Sequence, residues 1–140
     1  MIRIIRVSAG VLTCGRKLLI CQRRAEDLHP LKWEFPGGKT QDDEDDAACL
    51  HRELDEELGI EAAVGAELYR AVHAYPNGRT VAVTFFHVPT YSGELKNTQF
   101  HTVMWIEPTQ LPMYDFLEGD LAFVAALARG EWAHIFSEEQ

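Results

Sequence analysis

Three carboxylates, Glu53, Glu56 and Glu57, stand close enough in the chain to act on one ligand. On a helix, at about 100° per residue, Glu56 falls about 60° to one side of Glu53 and Glu57 about 40° to the other. All three then share a stripe, and Leu50, Leu54 and Leu58 fill the neighbouring stripe that a core would cover. Like charges at this spacing repel and weaken an isolated helix, a cost that a shared cation removes. Oxygen ligands with few imidazoles or thiolates beside them favour Mg²⁺ or Mn²⁺ over zinc. Arg52 precedes Glu56 by four positions, so the two are expected to pair along the helix and leave Glu53 and Glu57 for the metal. Acids at Asp42 to Asp46 surround the helix start, where they complement its dipole. Gly37 and Gly38 let the backbone pass close to a ligand and can expose a carbonyl to the metal. A glutamate-rich stripe is ordinarily plain solvated surface; here the spacing of the whole segment sets it apart. The seven identities and two aliphatic positions between Gly38 and Ile60 would coincide by chance with a probability on the order of 10⁻⁹ per register.

The segment Gly38 to Ile60 matches the Nudix box, G-x5-E-x7-R-E-U-x-E-E-x-G-U with U aliphatic, at every position. The preceding Trp33-Glu34-Phe35-Pro36-Gly37-Gly38-Lys39 resembles the MutT-type branch of that family, a looser likeness that runs from Val7 to Leu127. The resemblance implies an α+β Nudix fold, a mixed β-sheet sandwiched between α-helices, and Mg²⁺-dependent cleavage of a nucleoside diphosphate linked to another group, with Mn²⁺ able to substitute. For the MutT-like branch the substrate is a (deoxy)nucleoside triphosphate, split to monophosphate and pyrophosphate. Nucleotide-pool sanitation is then the implied role, with 8-oxo-dGTP, CTP or modified dCTP as candidate substrates. ADP-ribose, dinucleoside polyphosphates and capped RNA are the alternatives within the family. A non-catalytic nucleotide-binding module is disfavoured because every box carboxylate is present.

By the same resemblance Glu53 and Glu57 are metal ligands, and Glu56 binds metal or helps to activate water. The Gly37 carbonyl is a further ligand, and Glu44 and Arg52 are supporting members. Many relatives carry another glutamate six or three residues ahead of the tryptophan of the late strand; Gln99 and Thr102 hold those places ahead of Trp105. His101 lies nearby, and its ordinary pKa suits proton transfer, but a lone loop histidine is more often inert. The general base is left unassigned, with Glu56 preferred. Arg23 and Lys39 flank the glycine turn and are candidates for phosphate contact or for ordinary surface charge. Asp120, ahead of the last helix, reads equally as a base-recognition residue and as a helix N-cap. Phe35, Tyr75, Phe85 and Trp33 are candidates to line the base pocket or to pack the core.

The elements that must position these groups follow from hydrophobic period and turn signals. Ile2 to Thr13 alternates as a strand, Gly15 turns, and Lys17 to Gln22 returns to form a hairpin. Arg24 to Lys32 is a polar loop, Trp33 to Phe35 a short extended piece, and Pro36-Gly37-Gly38 a turn. A helix is predicted over Asp42 to Leu58 with Gly59 as its C-terminal glycine. Ala63 to Tyr75 reads as one strand, joined through Pro76-Asn77-Gly78 to a second at Thr80 to Val88. Pro89 to Thr98 reads as loop, Val103 to Ile106 as strand, and Leu121 to Ala128 as a helix closed by Gly130.

The 140 residues suit a single domain over 1–140, large enough to bury about 70% of its unfolded surface without staples. A net charge of −9 speaks against a duplex nucleic-acid partner, which needs a basic face. It leaves room for a nucleotide whose charge a metal offsets. Cys14, Cys21 and Cys49 fit neither a disulfide framework nor a zinc site and are expected to stay reduced. No apolar run approaches the roughly 20 residues of a membrane span, and the N-terminus lacks a signal-peptide core. The expectation is a cytoplasmic monomer or homodimer.

Overall fold

In the computed structural model, residues 3–138 are described. The first strand, β1, spans Ile4–Cys14; Ile2, which the alternation includes, lies outside the described residues. Gly15, at φ 61°, turns the chain into β2 (Lys17–Gln22). Thr13 then faces Leu18 in the expected antiparallel hairpin. β1 and β2 are covered on both sides, so their apolar runs are nearly continuous and their alternation assigns residues to two cores. Val11, Leu18 and Ile20 enter one cluster and Leu12, Leu19 and Cys21 the other.

Two short strands, β3 (Trp33–Glu34) and β4 (Gly37–Lys39), bracket the proline-glycine segment. The expected turn is thus partly a strand: Ser8 of β1 faces Gly38, and Ala9 faces Gly37. After helix α1 (Asp46–Leu58) come β5 (Glu61–Ala63), β6 (Glu67–Ala74), β7 (Thr80–Val88), β8 (Thr90–Ser92) and β9 (Thr102–Ile106). β1 pairs parallel with β7 along its length, β7 pairs antiparallel with β6, and β2 pairs with β3 and β9. The result is a mixed seven-stranded sheet of order β3-β2-β1-β7-β6, with β4 against β1 and β9 against β2. α1 packs on one face through Leu50, Leu54 and Leu58. The second helix, α2 (Leu121–Ala128), packs on the other through Phe123, Val124 and Leu127. This is the α+β sandwich that the sequence implied.

Three elements differ from expectation. α1 starts at Asp46 rather than Asp42, because Asp45 caps it, its carboxylate accepting the Ala48 N–H at 2.8 Å. Residues 42–44 stay outside the helix, where Glu44 is free to reach Arg52. The segment Ala63 to Tyr75 is two strands, β5 and β6. Gly65 N–H donates to the His87 carbonyl at 2.7 Å, and a Cβ at Gly65 would lie 2.9 Å from that oxygen, so the chain breaks there before β6 resumes. Within the expected loop Pro89 to Thr98, β8 pairs with β5 as a separate small sheet. Beyond it the loop caps α1: Lys96 and Thr98 donate backbone N–H groups to the Leu58 and Glu57 carbonyls.

α1 is held mainly by its three leucines, each fully buried, and burying one such side chain stabilises by about 1.5–3 kcal/mol. Leu54→Ala is therefore expected to lower the unfolding free energy by about 2–5 kcal/mol, the lost transfer energy plus a cavity. Urea denaturation checks this, and a loss below about 1 kcal/mol would mean that α1 is not seated as described.

Candidate active site

β4 is threaded between β1 and α1 with no room to spare. Gly37 has φ 151°, and a Cβ there would lie 1.9 Å from the Ser8 carbonyl oxygen. A Cβ on Gly38 would lie 2.3 Å from Cδ of Glu53. The two glycines thus serve strand pairing and carboxylate approach respectively. Gly37 N–H also donates to Glu57 Oε1 at 3.0 Å, tying the last box carboxylate to the strand.

Arg52 departs from the simple pairing expected of it. Its principal partner is Glu44, reached through Nη2 at 2.7 Å and Nε at 3.1 Å in the two-pronged geometry that guanidinium favours. It also donates to Glu53 at 3.0 Å and to the Lys39 carbonyl at 3.1 Å, and only more loosely to Glu56 at 3.3 Å. Arg52 therefore ties the loop before α1, the strand β4 and the carboxylate stripe together. That stripe separates by environment. The Arg52 hydrogen bond, helped by the Gln41 N–H, pulls Glu44 down to about 2. Burial first, and then the neighbouring Glu53, push Glu57 up to about 9. Burial also raises Glu53, against the pull of Arg52. Glu56 remains the exposed member.

Among the described residues no three carboxylate, imidazole or thiolate side chains already converge into a closed metal cage. The groups nevertheless suit a hard divalent cation. The donors are all oxygen, the Gly38 backbone leaves Glu53 the space that a Cβ would fill, and Glu57 is half-buried beside a second carboxylate with no cationic partner among the described residues.

Glu57 of the stripe lines a cleft of about 310 Å³, together with Gly37, Gly38, Lys39 and Asp120. Arg23, expected at the phosphates, lines the cleft but is engaged. It donates to the Leu28 carbonyl at 2.7 Å and to both oxygens of Glu34 at 3.2 and 3.3 Å. Lys39 reaches the cleft, and its side chain has no partner among the described residues. Phe35 is a core residue with one side on the cleft, its ring 5.4 Å from Phe116 and 5.7 Å from Phe123. Phe85, stacked on Phe123 at 4.2 Å, belongs to the core alone, and Trp33 packs edge-on against Tyr114. Gln99 lines the cleft, Thr102 sits in β9 opposite Gln22, and His101 is exposed on neither wall.

Asp120 departs from the capping alternative. It precedes α2, but its backbone is already helical and its side chain makes no cap hydrogen bond. The carboxyl is buried in the cleft wall, without a hydrogen-bond partner among the described residues. Burial pushes it up to about 8, with Glu34 adding to the shift and Arg23 opposing it. Glu34 is raised to about 7, chiefly by burial and against Arg23. Sequence reasoning quoted Glu34 only within a motif and passed over His29 and Arg79, which also line the cleft. Glu34 sits one residue from Phe35 on β3, and only the β2–β3 pairing turns it inward. The other two lie on turns whose position over the cleft no local period encodes.

A family model described as NUDIX domain matches residues 4–127. The chain is 35% identical over 125 residues to a CTP pyrophosphohydrolase of Escherichia coli, covering 89% of this chain and 91% of that protein. It is 33% identical over 116 residues to an 8-oxo-dGTP diphosphatase of Haemophilus influenzae, covering 81% and 84% respectively. Among solved structures, that of the E. coli ORF135 protein superposes with a TM-score of 0.82 at 32% identity over 94% of both chains.

The buried carboxyl of Asp120 gives a stability signature. Its folded pKa of about 8 exceeds the unfolded value of about 4. Between those values the folded state holds a proton that the unfolded state has lost, so this contribution is full below about pH 4. It declines as pH rises through the window and is gone above about 8. One such proton changes the unfolding free energy by at most about 1.4 kcal/mol per pH unit. Asp120→Asn should flatten the decline between pH 5 and 8 in urea titrations without bound nucleotide; an unchanged slope would place Asp120 in contact with solvent.

Proposed function

The chain belongs to the NUDIX domain family, and from that premise we propose which of its residues carry the chemistry. It is a hydrolase of the nucleoside triphosphate pyrophosphohydrolase kind, releasing a nucleoside monophosphate and pyrophosphate in nucleotide-pool sanitation. The observation that carries the residue assignment is one cleft lined both by Glu57 of the intact carboxylate stripe and by the buried Asp120, whose carboxyl has no hydrogen-bond partner among the described residues. The first suits a metal-associated phosphate chain and the second a nucleobase.

Glu53, Glu56 and Glu57, with the Gly37 carbonyl, would hold a divalent cation, for which we propose Mg²⁺ with Mn²⁺ able to substitute. Such a cation offsets phosphate charge and makes hydroxide accessible near neutral pH. Glu56, exposed and loosely held, is the preferred acceptor of the proton from the attacking water. Arg52 positions Glu53 and Glu44 rather than touching substrate. Lys39, whose side chain has no partner among the described residues, is placed to meet phosphate oxygens; Arg23 instead braces the loop at residues 24–32 against Glu34 and faces the same cleft. Phe35 and Asp120 bound the base end.

The E. coli relative that this chain resembles along most of its length acts on CTP by name, and we put CTP and modified dCTP first among substrates, with 8-oxo-dGTP second. No helix among the described residues is long and apolar enough to cross a membrane. The reading is of a cytoplasmic, single-domain enzyme, monomer or homodimer, whose partner is a nucleotide rather than duplex nucleic acid.

Hydrolysis of CTP, 5-methyl-dCTP, dGTP, 8-oxo-dGTP and ADP-ribose, with Mg²⁺ and products identified by mass, tests the reading: a triphosphate should give monophosphate and pyrophosphate. Cleavage of ADP-ribose but of no triphosphate would overturn it. Glu57→Gln is expected to lower kcat by about 10³ or more while the fold persists, since the cation contributes several kcal/mol to the transition state. A variant keeping more than about a tenth of the wild-type rate at saturating Mg²⁺ would remove Glu57 from the site.

A further inference from the structure

Tyr75 closes β6–β7 at the base end of the cleft, and no motif marks it. Its hydroxyl oxygen accepts the Gly119 N–H at 3.0 Å, one residue from Asp120. The contact is close enough that a Cβ on Gly119 would lie 2.7 Å from that oxygen. The ring is fixed from two sides, with the His73 ring 4.5 Å away nearly edge-on and the His29 ring at 4.8 Å. His73 in turn stands 3.5 Å from Glu118 on the same turn as Gly119 and Asp120. Below it, Tyr75 N–H donates to the Arg79 carbonyl at 2.7 Å, which ties the residue to the hairpin turn.

A phenol has one proton to give as well as lone pairs to offer. The Gly119 N–H uses a lone pair, and no group among the described residues accepts the Tyr75 proton. Burial raises its pKa, and Asp120 and Glu118 add to this against the Gly119 N–H, so the hydroxyl remains a donor across the working pH range. The cleft thus presents, on either side of Gly119, a carboxyl without a partner and a hydroxyl donor without an acceptor. Resting on the nucleotide reading above, we propose that Tyr75 is a specificity-determining residue, its hydroxyl donating to an acceptor atom on the nucleobase edge that Asp120 also reads. A site built to hydrogen-bond its substrate discriminates strongly, because the wrong base leaves the buried Asp120 carboxyl and the half-buried Tyr75 hydroxyl unpaired.

The experiment measures kcat and KM for CTP, 5-methyl-dCTP, dGTP and 8-oxo-dGTP with Mg²⁺ in wild type, Tyr75→Phe, Gly119→Ala and the double variant, together with thermal midpoints. Tyr75→Phe should lower kcat/KM for the best triphosphate about tenfold, chiefly through KM. The poorest should lose less than threefold, so the ranking compresses. Gly119→Ala, which displaces the hydroxyl, should compress it likewise. The double variant should be no worse than Tyr75→Phe, because phenylalanine removes the oxygen that alanine strikes. An unchanged ranking, a uniform loss across all four, or multiplying losses in the double variant would overturn the proposal. Loss of folding in both single variants would make Tyr75 structural and overturn it too. If wild type cleaves none of the four, the activity reading fails first and takes this proposal with it. Cleavage by wild type with an unaltered order in both variants refutes Tyr75 alone.

Discussion

The site depends on how closely β4 is drawn in between β1 and α1. A strand can lie there only if it has no side chain on two successive residues, since any Cβ at 37 would strike the backbone of β1 and any at 38 the carboxylate of Glu53. That restriction brings the Gly37 N–H to Glu57 and sets that carboxylate in the wall of the cleft, while Glu56 stays on open surface. The leucine stripe on the other side of α1 holds the helix at that depth. The hydrophobic face and the chemical face of α1 are thus coupled through its distance from the sheet.

Within that frame, identical side chains are given different tasks by burial and by one guanidinium. Glu44 and Glu57 differ only in surroundings, yet one is held near 2 and the other near 9. Arg52 accounts for the first by a two-pronged bond in reach of solvent; desolvation beside Glu53 accounts for the second. Elsewhere in the cleft burial outweighs a guanidinium: Glu34, braced by Arg23, is still raised to about 7, and Asp120, with no hydrogen-bond partner among the described residues, to about 8. A chain of net charge −9 thus concentrates unbalanced acid where a cation and a hydrogen-bonding ligand would relieve it. The stability cost of such groups is characteristic of functional positions.

The cleft walls come from less regular parts of the chain. The loop at residues 24–32 holds His29 at φ 54° and Leu31 at φ 60°, conformations unfavourable for side chains of that bulk. It is retained by Arg23, whose guanidinium spans from the Leu28 carbonyl to Glu34. Against it, through the His29 and Tyr75 rings, lies the Tyr75–Arg79 turn, which is locked to the start of α2 through Gly119. Loops pinned to a rigid sheet in this way are the usual carriers of substrate selectivity.

The local pattern in the sequence determined α1, its leucine face and its carboxylate stripe, because a 3.6-residue period and a fixed spacing record which side chains share a face. It determined the β1–β2 hairpin and the C-terminal glycine of α1 for the same reason: turns and caps are settled by neighbouring residues. The family membership was legible in the box from Gly38 to Ile60, and the sandwich fold followed from it. Tertiary structure alone decided the rest. It split Ala63 to Tyr75, because the break answers to the His87 carbonyl on a distant strand. It paired β8 with β5, gave Arg52 to Glu44 before Glu56, and turned Asp120 from helix cap to buried cleft wall. Each of those outcomes rests on contacts between segments far apart in the chain, and burial, which sets the acidity of Glu57 and Asp120, exists only once those segments have met.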